Sequence, residues 1–158
     1  MARRYGRSPR GQPCRAAVPH GHWKTSTFVA GLRHDAITAP MVIDGAMNSR
    51  RFRFYVRHLL TPSLSPGDVV VIDNLPAHKG RAIRELIEAR GARLLYLPPY
   101  SPDLNQIELV FSKLKYLLRA AAPRTVDCLW TVLGQCLDRF TPGQCANYLR
   151  HCGYGQTV

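Results

Sequence analysis

Two carboxylates carry the chemistry this sequence is best placed to perform. Asp73 follows the run Val69-Val70-Val71-Ile72, and Glu108 closes the stretch Pro98-Pro99-Tyr100-Ser101-Pro102-Asp103-Leu104-Asn105-Gln106-Ile107. Four consecutive β-branched residues between Gly67-Asp68 and Asp73-Asn74 predict a fully buried strand in a parallel sheet. An acid at the carboxyl end of such a strand lies at the rim where open α/β sheets place their ligands. The 34 residues between the two acids hold one helix and one further strand, so the chain can return to the same rim with Glu108 in the first turn of the next helix. Two carboxylates at one rim repel unless a cation lies between them, and hard oxygen ligands in a basic protein point to Mg²⁺ held against a phosphate. Each acid also has a plainer role open to it. Asp73 begins an Asp-Asn turn that could simply close the strand. Asn105 and Glu108, three residues apart, have the spacing of a capping box.

The elements that must position these acids can be read from periodicity. Trp23 to Leu32 alternates as a strand, and Ile37 to Ile43 is its antiparallel partner across the His34-Asp35 turn. Asn48 or Ser49 caps a helix burying Phe52, Tyr55, Val56, Leu59 and Leu60, with Arg50, Arg51, Arg53 and Arg57 on its outer face. A second helix runs from Lys79 to Arg90 with Ile83, Leu86 and Ile87 inward and Gly91 as its stop, and Arg93 to Leu97 forms the next strand. Asn105 caps a third helix with the inward stripe Ile107, Val110, Phe111, Leu114, Leu117 and Leu118. Thr125 caps a fourth that buries Val126, Leu129, Trp130, Leu133, Leu137 and Phe140, and Thr141-Pro142 opens a short last helix over Cys145, Tyr148 and Leu149.

The bulk composition narrows the partners. The chain has 158 residues, enough for one domain, and no apolar run approaches the ~20 residues of a membrane span. The formal net charge is +12, and residues 1–34 carry six arginines and Lys24 with no acid at all. Such a segment attracts polyanions, with DNA the leading partner over a merely solvated tail. Eighteen of the 22 basic residues are arginine, which favours bidentate contact with phosphate. The five cysteines lack the paired spacing of a zinc site and read as buried reduced thiols, placing the chain in the cytosol.

Asp73-Asn74-Leu75-Pro76-Ala77-His78-Lys79-Gly80 and Tyr100-Ser101-Pro102-Asp103-Leu104-Asn105-Gln106-Ile107-Glu108 together resemble the second and third catalytic blocks of bacterial insertion-sequence transposases. That group is allied to the Tc/mariner elements and carries a DDE triad on a ribonuclease-H-like fold. The similarity runs from about Arg7 to Tyr154 and includes Pro19-His20-Gly21-His22-Trp23-Lys24-Thr25. It implies an α/β, ribonuclease-H-like core lacking its first strand, a partial DDE catalytic domain over residues 21–158; residues 1–20, rich in Arg, Gly and Pro, read as a basic, poorly ordered segment ahead of it. The order β-β-α-β-α-β-α-α fits that reading. The implied activity is DNA transposition by end cleavage and strand transfer, using Mg²⁺ or Mn²⁺, with Asp73 bridging two ions and Glu108 holding one. His78 would sit near the reacting phosphate or nucleophilic water, or else make a hydrogen bond at the start of the second helix. Asn74 and Asn105 would orient, Asp103 would serve the turn, and Gln106 stands where the family usually has proline.

No residue matches the family's first catalytic aspartate. Asp35 and Asp44, the upstream acids, fall in a hairpin turn and at a strand end. In ribonuclease-H-like sheets the first strand lies between the second and the fourth, so its loss leaves two apolar edges open to aggregation or to capture of a complementing segment. The expectation is therefore a chain inactive on its own. Its expected partners are DNA and an N-terminal transposase fragment or intact transposase, with homo-oligomers in the complete enzyme. The expected location is the bacterial cytoplasm, at the nucleoid. Two other readings stand beside it: a catalytically silent DNA-binding remnant, and another ribonuclease-H-like nuclease that cuts RNA–DNA hybrids.

Overall fold

The computed structural model describes residues 6–15 and 25–154. The expected strand start at Trp23, and much of the expected poorly ordered segment 1–20, lie outside those residues. The first pair of strands is an antiparallel hairpin, β1 (Ser26–Leu32) and β2 (Ile37–Asp44), in register from Ser26↔Asp44 to Leu32↔Ile37. The register slips by one residue between Val29 and Gly31, opposite Ala39 and Pro40. Ala39 takes a positive φ of 49°, and Pro40, which has no N–H to give the ladder, fits at such an irregularity.

The hairpin divides two apolar clusters. Val29 and Met41 pack toward a cluster built on Phe52, Tyr55, Val56, Ile83, Ile87 and Leu94. Phe28, Leu32, Ile37 and Val42, on the opposite face, pack toward Val110, Leu114, Leu118, Leu133, Phe140 and Cys145. The first cluster is supplied by α1 (Ser49–Tyr55), a π-helical continuation of it over Val56–Leu60, and α2 (Arg81–Glu88). Asn48 caps α1 by accepting from Arg51 N at 2.9 Å. The helix α2 starts two residues later than expected because a 3-10 turn, Pro76–His78, precedes it. It ends at Glu88, two residues short of the expected Arg90, and Gly91 just beyond it takes a φ of 71° with Pro66 Cα 3.3 Å from where a Cβ would sit, which favours glycine.

The second cluster is supplied by α3 (Ile107–Ala121), α4 (Val126–Leu137) and α5 (Pro142–His151). The expected caps Thr125 and Thr141 both form, the latter as a full capping box with Gln144. Trp130 departs from the expected stripe of α4, being 39% exposed, while Cys136 is buried instead. Lys113 on α3 clamps the α4–α5 junction, donating to Arg139 O at 2.7 Å and to Gln144 Oε1 at 2.6 Å over the face of Phe140.

β3 (Val69–Ile72) and β4 (Arg93–Tyr96) form a parallel pair in the register Val69↔Arg93 to Ile72↔Tyr96. The parallel pairing is as expected, but the full burial of β3 is not. Val69 is 43% exposed, and the other three residues are only half-buried. The reason lies in the sheet. Among the described residues β1 pairs only with β2 and β3 only with β4, so two two-stranded ladders stand apart and each keeps an open edge. No helix among the described residues is long and apolar enough to cross a membrane.

One long-range contact ties the ladders together. Arg33, at the hairpin end, donates from Nη1 to Asp68 Oδ2 at 2.7 Å and from Nη2 to Oδ1 at 3.0 Å, just ahead of β3. The hydrogen bond from Arg33, with a second from Ser65 N, holds the Asp68 carboxyl below the usual aspartate range. A carboxyl depressed in the fold contributes stability above its unfolded value of about 4 and loses that contribution as pH falls through its folded value. We expect Arg33→Gln to lower the melting temperature at pH 7 and to narrow the gap to wild type below pH ~4. Melting curves between pH 7 and pH 2 check this; a gap that is constant with pH would assign the loss to packing.

Candidate metal site

The parallel pairing of β3 with β4 sets the position of Asp73. Leu97 N donates to Ile72 O at 2.8 Å, which carries the ladder to the last residue of β3, so Asp73 emerges at its carboxyl end. The turn reading of Asp73 is realised as well, since its Oδ1 accepts from Leu75 N at 3.3 Å. The 3-10 turn over Pro76–His78 then folds the chain back, and His78 Nδ1 meets the same Oδ1. Both protein contacts to the carboxylate fall on Oδ1, and Oδ2 has no protein partner among the described residues.

His78 is fixed on three sides. Its ring stacks on Phe52 of α1 with centroids 4.0 Å apart, and its carbonyl accepts from the Tyr96 hydroxyl at 3.4 Å. With Nδ1 committed to Asp73, the remaining ring nitrogen, Nε2, has no protein partner among the described residues. The side chain makes no helix-start hydrogen bond: α2 begins at Arg81, after the N-cap Gly80, with no side-chain cap. The spacing in sequence puts His78 near the acid but does not show the pairing; Phe52 reads there only as a core residue, and Tyr96 carries no signal of its contact with His78. The five-residue spacing was the available signal, because an Asp turn followed by a 3-10 turn reverses the chain over that distance.

Glu108 lies in the first turn of α3, as expected, but the rival capping role is not formed. The helix begins after Gln106 without any side-chain cap, and Asn105 instead ends the 3-10 turn Pro102–Leu104. Asn105 therefore does not cap α3, and the Glu108 carboxylate is exposed with no protein partner among the described residues. The loop ahead of it is tied down from the far end of the chain, where the Tyr154 hydroxyl donates to Leu104 O at 3.0 Å. An edge-to-face contact between Phe111 and Phe28, centroids 6.1 Å apart, holds α3 against β1. Asp103 is exposed within the 3-10 turn, consistent with a turn role.

Asp73, His78, Asn105 and Glu108 all line one groove of about 380 Å³ between β1 and β3. Asn74, half-buried, does not line it. Asp35 and Asp44 lie elsewhere. The groove wall is apolar, built from residues such as Phe28 and Val71, and the Tyr55 hydroxyl, buried without a partner among the described residues, belongs to it. Burial pushes that hydroxyl well above the usual tyrosine range.

The donor set is hard: two carboxylates and one amide oxygen, the chemistry Mg²⁺ and Mn²⁺ select, with no thiolate among the groove residues. Oδ2 of Asp73 is free to coordinate while His78 holds Oδ1, the arrangement in which an outer partner orients a metal-binding carboxylate. Among the described residues no three of the His, Cys, Asp and Glu side chains are gathered tightly enough to hold a metal by themselves. Two carboxylates suit an ion that keeps several waters and takes further oxygens from a phosphate. The cysteines stand apart from this set; Cys136, Cys145 and Cys152 are buried as expected, whereas Cys14 and Cys128 are exposed, against the expectation of buried thiols.

Residues 1–129 match the family model of the DDE superfamily endonucleases. No curated protein is detectably similar in sequence. Among solved structures, the catalytic domain of Mos1 mariner transposase superposes with a TM-score of 0.67 at 14% identity, over 82% of this chain and 74% of that one. A pre-cleavage Mos1 transpososome gives 0.71 at 15% identity, over 100% of this chain and 52% of that one. A Mos1 mariner paired end complex with Mn gives 0.69 at 15% identity, over 97% and 51%. The chain thus spans about half the length of the transposase chains in those two complexes.

Proposed function

Because the chain belongs to the DDE superfamily of endonucleases and has their ribonuclease-H-like fold, we propose that it serves DNA transposition, by metal-dependent cleavage of an element's end and transfer of the freed strand. The observation that carries this reading is the groove. It gathers an acid from a strand end and an acid from a helix start, both with free carboxylate oxygens, in a protein of net charge +12. Asp73 and Glu108 would hold a divalent ion, Mg²⁺ or Mn²⁺, which when bound polarises a phosphate oxygen and lowers the pKa of bound water. Asp73 would offer Oδ2 to the ion, while His78 keeps the carboxylate in position through Oδ1. His78 in turn presents Nε2 as a proton acceptor or phosphate donor. Asn105, at the groove, orients. The basic segment 1–20 supplies contacts to the DNA backbone.

Two carboxylates leave this site short of a third. The open edges of β1 and β3 border the groove, and Tyr55, whose buried hydroxyl has no partner among the described residues, lines it. A complementing strand seated there would pair both edges, give the hydroxyl an acceptor and bring a further acid to the ion. The DDE catalytic unit over residues 21–158 would then work with an N-terminal transposase fragment or intact transposase, as a homo-oligomer when complete. The setting we propose is a bacterial insertion sequence acting at the nucleoid.

A strand-transfer assay with Mg²⁺ or Mn²⁺, using the purified 158-residue chain alone and then with an N-terminal transposase fragment, tests this. The expected result is no cutting by the chain alone and metal-dependent joining of element-end DNA with the fragment. Cutting of RNA–DNA hybrids without strand transfer would overturn it in favour of another nuclease of the same fold.

A further inference from the structure

Away from the acid groove, a cleft of about 580 Å³ lies between α1 with its π-helical continuation and α2. Arg50, Arg53 and Arg57 line it, with Phe54 and His58 beside them. The three arginines stand at positions i, i+3 and i+7, on one face of the helix and about 10 Å from first to last along its axis. All three are exposed, and none has a carboxylate partner among the described residues. This contrasts with Arg33, Arg81 and Arg84, each paired with an acid. Glu85, the acid in the cleft wall, is already occupied, its Oε1 accepting from Arg81 Nε at 2.6 Å.

Like charges at i, i+3 and i+4 spacing destabilise a helix, so a row of unpaired guanidinium groups is a cost to this chain by itself. A polyanion lying in the cleft would reverse the sign. A span of about 10 Å matches about three nucleotides of one strand of duplex DNA at 3.4 Å each. Phe54 is 54% exposed and leans against His58, ring centroids 4.6 Å apart. A lone exposed ring gives no succession of stacking platforms of the kind single strands use, which favours a duplex backbone.

The acid groove lies on the other side of the same helix, where Phe52 stacks on His78, and the two sites share no lining residue. We infer that the α1–α2 cleft seats the phosphate backbone of a stretch of duplex DNA separate from the strand presented to Asp73 and Glu108. The inference rests on the reading of this chain as a DNA-acting protein and adds where a second contact is made. Because α1 is the wall between the two sites, DNA bound in the cleft would also hold Phe52, and so His78, in place.

The test is fluorescence anisotropy of the full chain with a labelled 30-base-pair duplex, across a range of salt. The triple variant Arg50→Gln, Arg53→Gln, Arg57→Gln is compared with Arg93→Gln, Arg119→Gln, Arg139→Gln, which removes the same charge from exposed positions elsewhere. The cleft triple is expected to weaken duplex binding at least about tenfold and to reduce the slope of log K against log salt by about 2.7, with an unchanged or higher melting temperature. The control triple is expected to change both much less. Equal losses in the two triples would overturn the cleft while leaving DNA binding standing. An effect confined to single-stranded DNA or to RNA would likewise overturn it. Wild-type chain that binds no duplex at all would overturn the cleft together with the functional reading beneath it.

Discussion

In the strand-transfer assay with an N-terminal fragment supplied, Asp73→Asn and Glu108→Gln are each expected to reduce metal-dependent cutting by about 10³-fold or more. A bound ion stabilises transition-state charge by several kcal/mol, and each 1.36 kcal/mol is tenfold in rate. The substitutions separate chemistry from structure. An asparagine at position 73 can still accept from Leu75 N and from His78, so the turn at the end of β3 survives and only the charge is lost. A glutamine at 108 leaves the start of α3 untouched, because Glu108 takes no part in capping it. Both variants should melt within about 0.5 kcal/mol of wild type, as exposed or rim substitutions do. The double variant should be little worse than either single one, since two ligands of one ion fail together. Residual activity falling independently at the two positions would place them on separate steps.

The largest expected effect on stability belongs to Ile87→Ala. Ile87 is fully buried in the cluster that α1, α2 and β4 share beneath the first ladder. Removing its side chain there costs about 2–5 kcal/mol through lost burial and the cavity left behind. For a domain of this size that is a fall in melting temperature of roughly 5–15 °C, a large part of a total stability of about 5–15 kcal/mol. The same cluster supports Val70 and Ile72, the residues that carry Asp73 to the rim. Partial unfolding should therefore disturb the acid site before the α3–α5 cluster, which packs on the other face of the hairpin. Thermal melts of Ile87→Ala, followed both by circular dichroism and by the fluorescence of Trp130 on α4, check this order. Coincident loss of both signals would mean that the two clusters unfold as one.

What could be read from the sequence was mostly local. Apolar spacing at 3.6 residues located α1, α3 and α4, and Thr125 and Thr141 announced their helices because caps act within one turn. The β-branched run located β3 and hence Asp73, but the burial expected for it did not follow. Burial depends on which strands flank a strand, and the open edge beside β3 is a property of the whole sheet. Asn105 was misread for a different reason. Its spacing to Glu108 satisfies a capping box, yet the 3-10 turn at Pro102–Leu104 ends on Asn105 and delays the helix by one residue. That delay is what frees Glu108. The Arg33–Asp68 pair, 35 residues apart, and the stack of Phe52 on His78 could not be seen in a linear pattern. Both require elements to have already met in space.

If Asp73 and Glu108 share one divalent ion, ferrous ion bound in its place should mark both positions at once. Fe²⁺ bound in place of Mg²⁺, with ascorbate and peroxide, cuts the protein backbone only beside the metal. The expected product is two sets of fragments, one broken near residue 73 and one near residue 108, both suppressed by excess Mg²⁺ and both lost together in Asp73→Asn. A break near only one of the two positions, or breaks near 108 that persist unchanged in Asp73→Asn, would contradict the shared site.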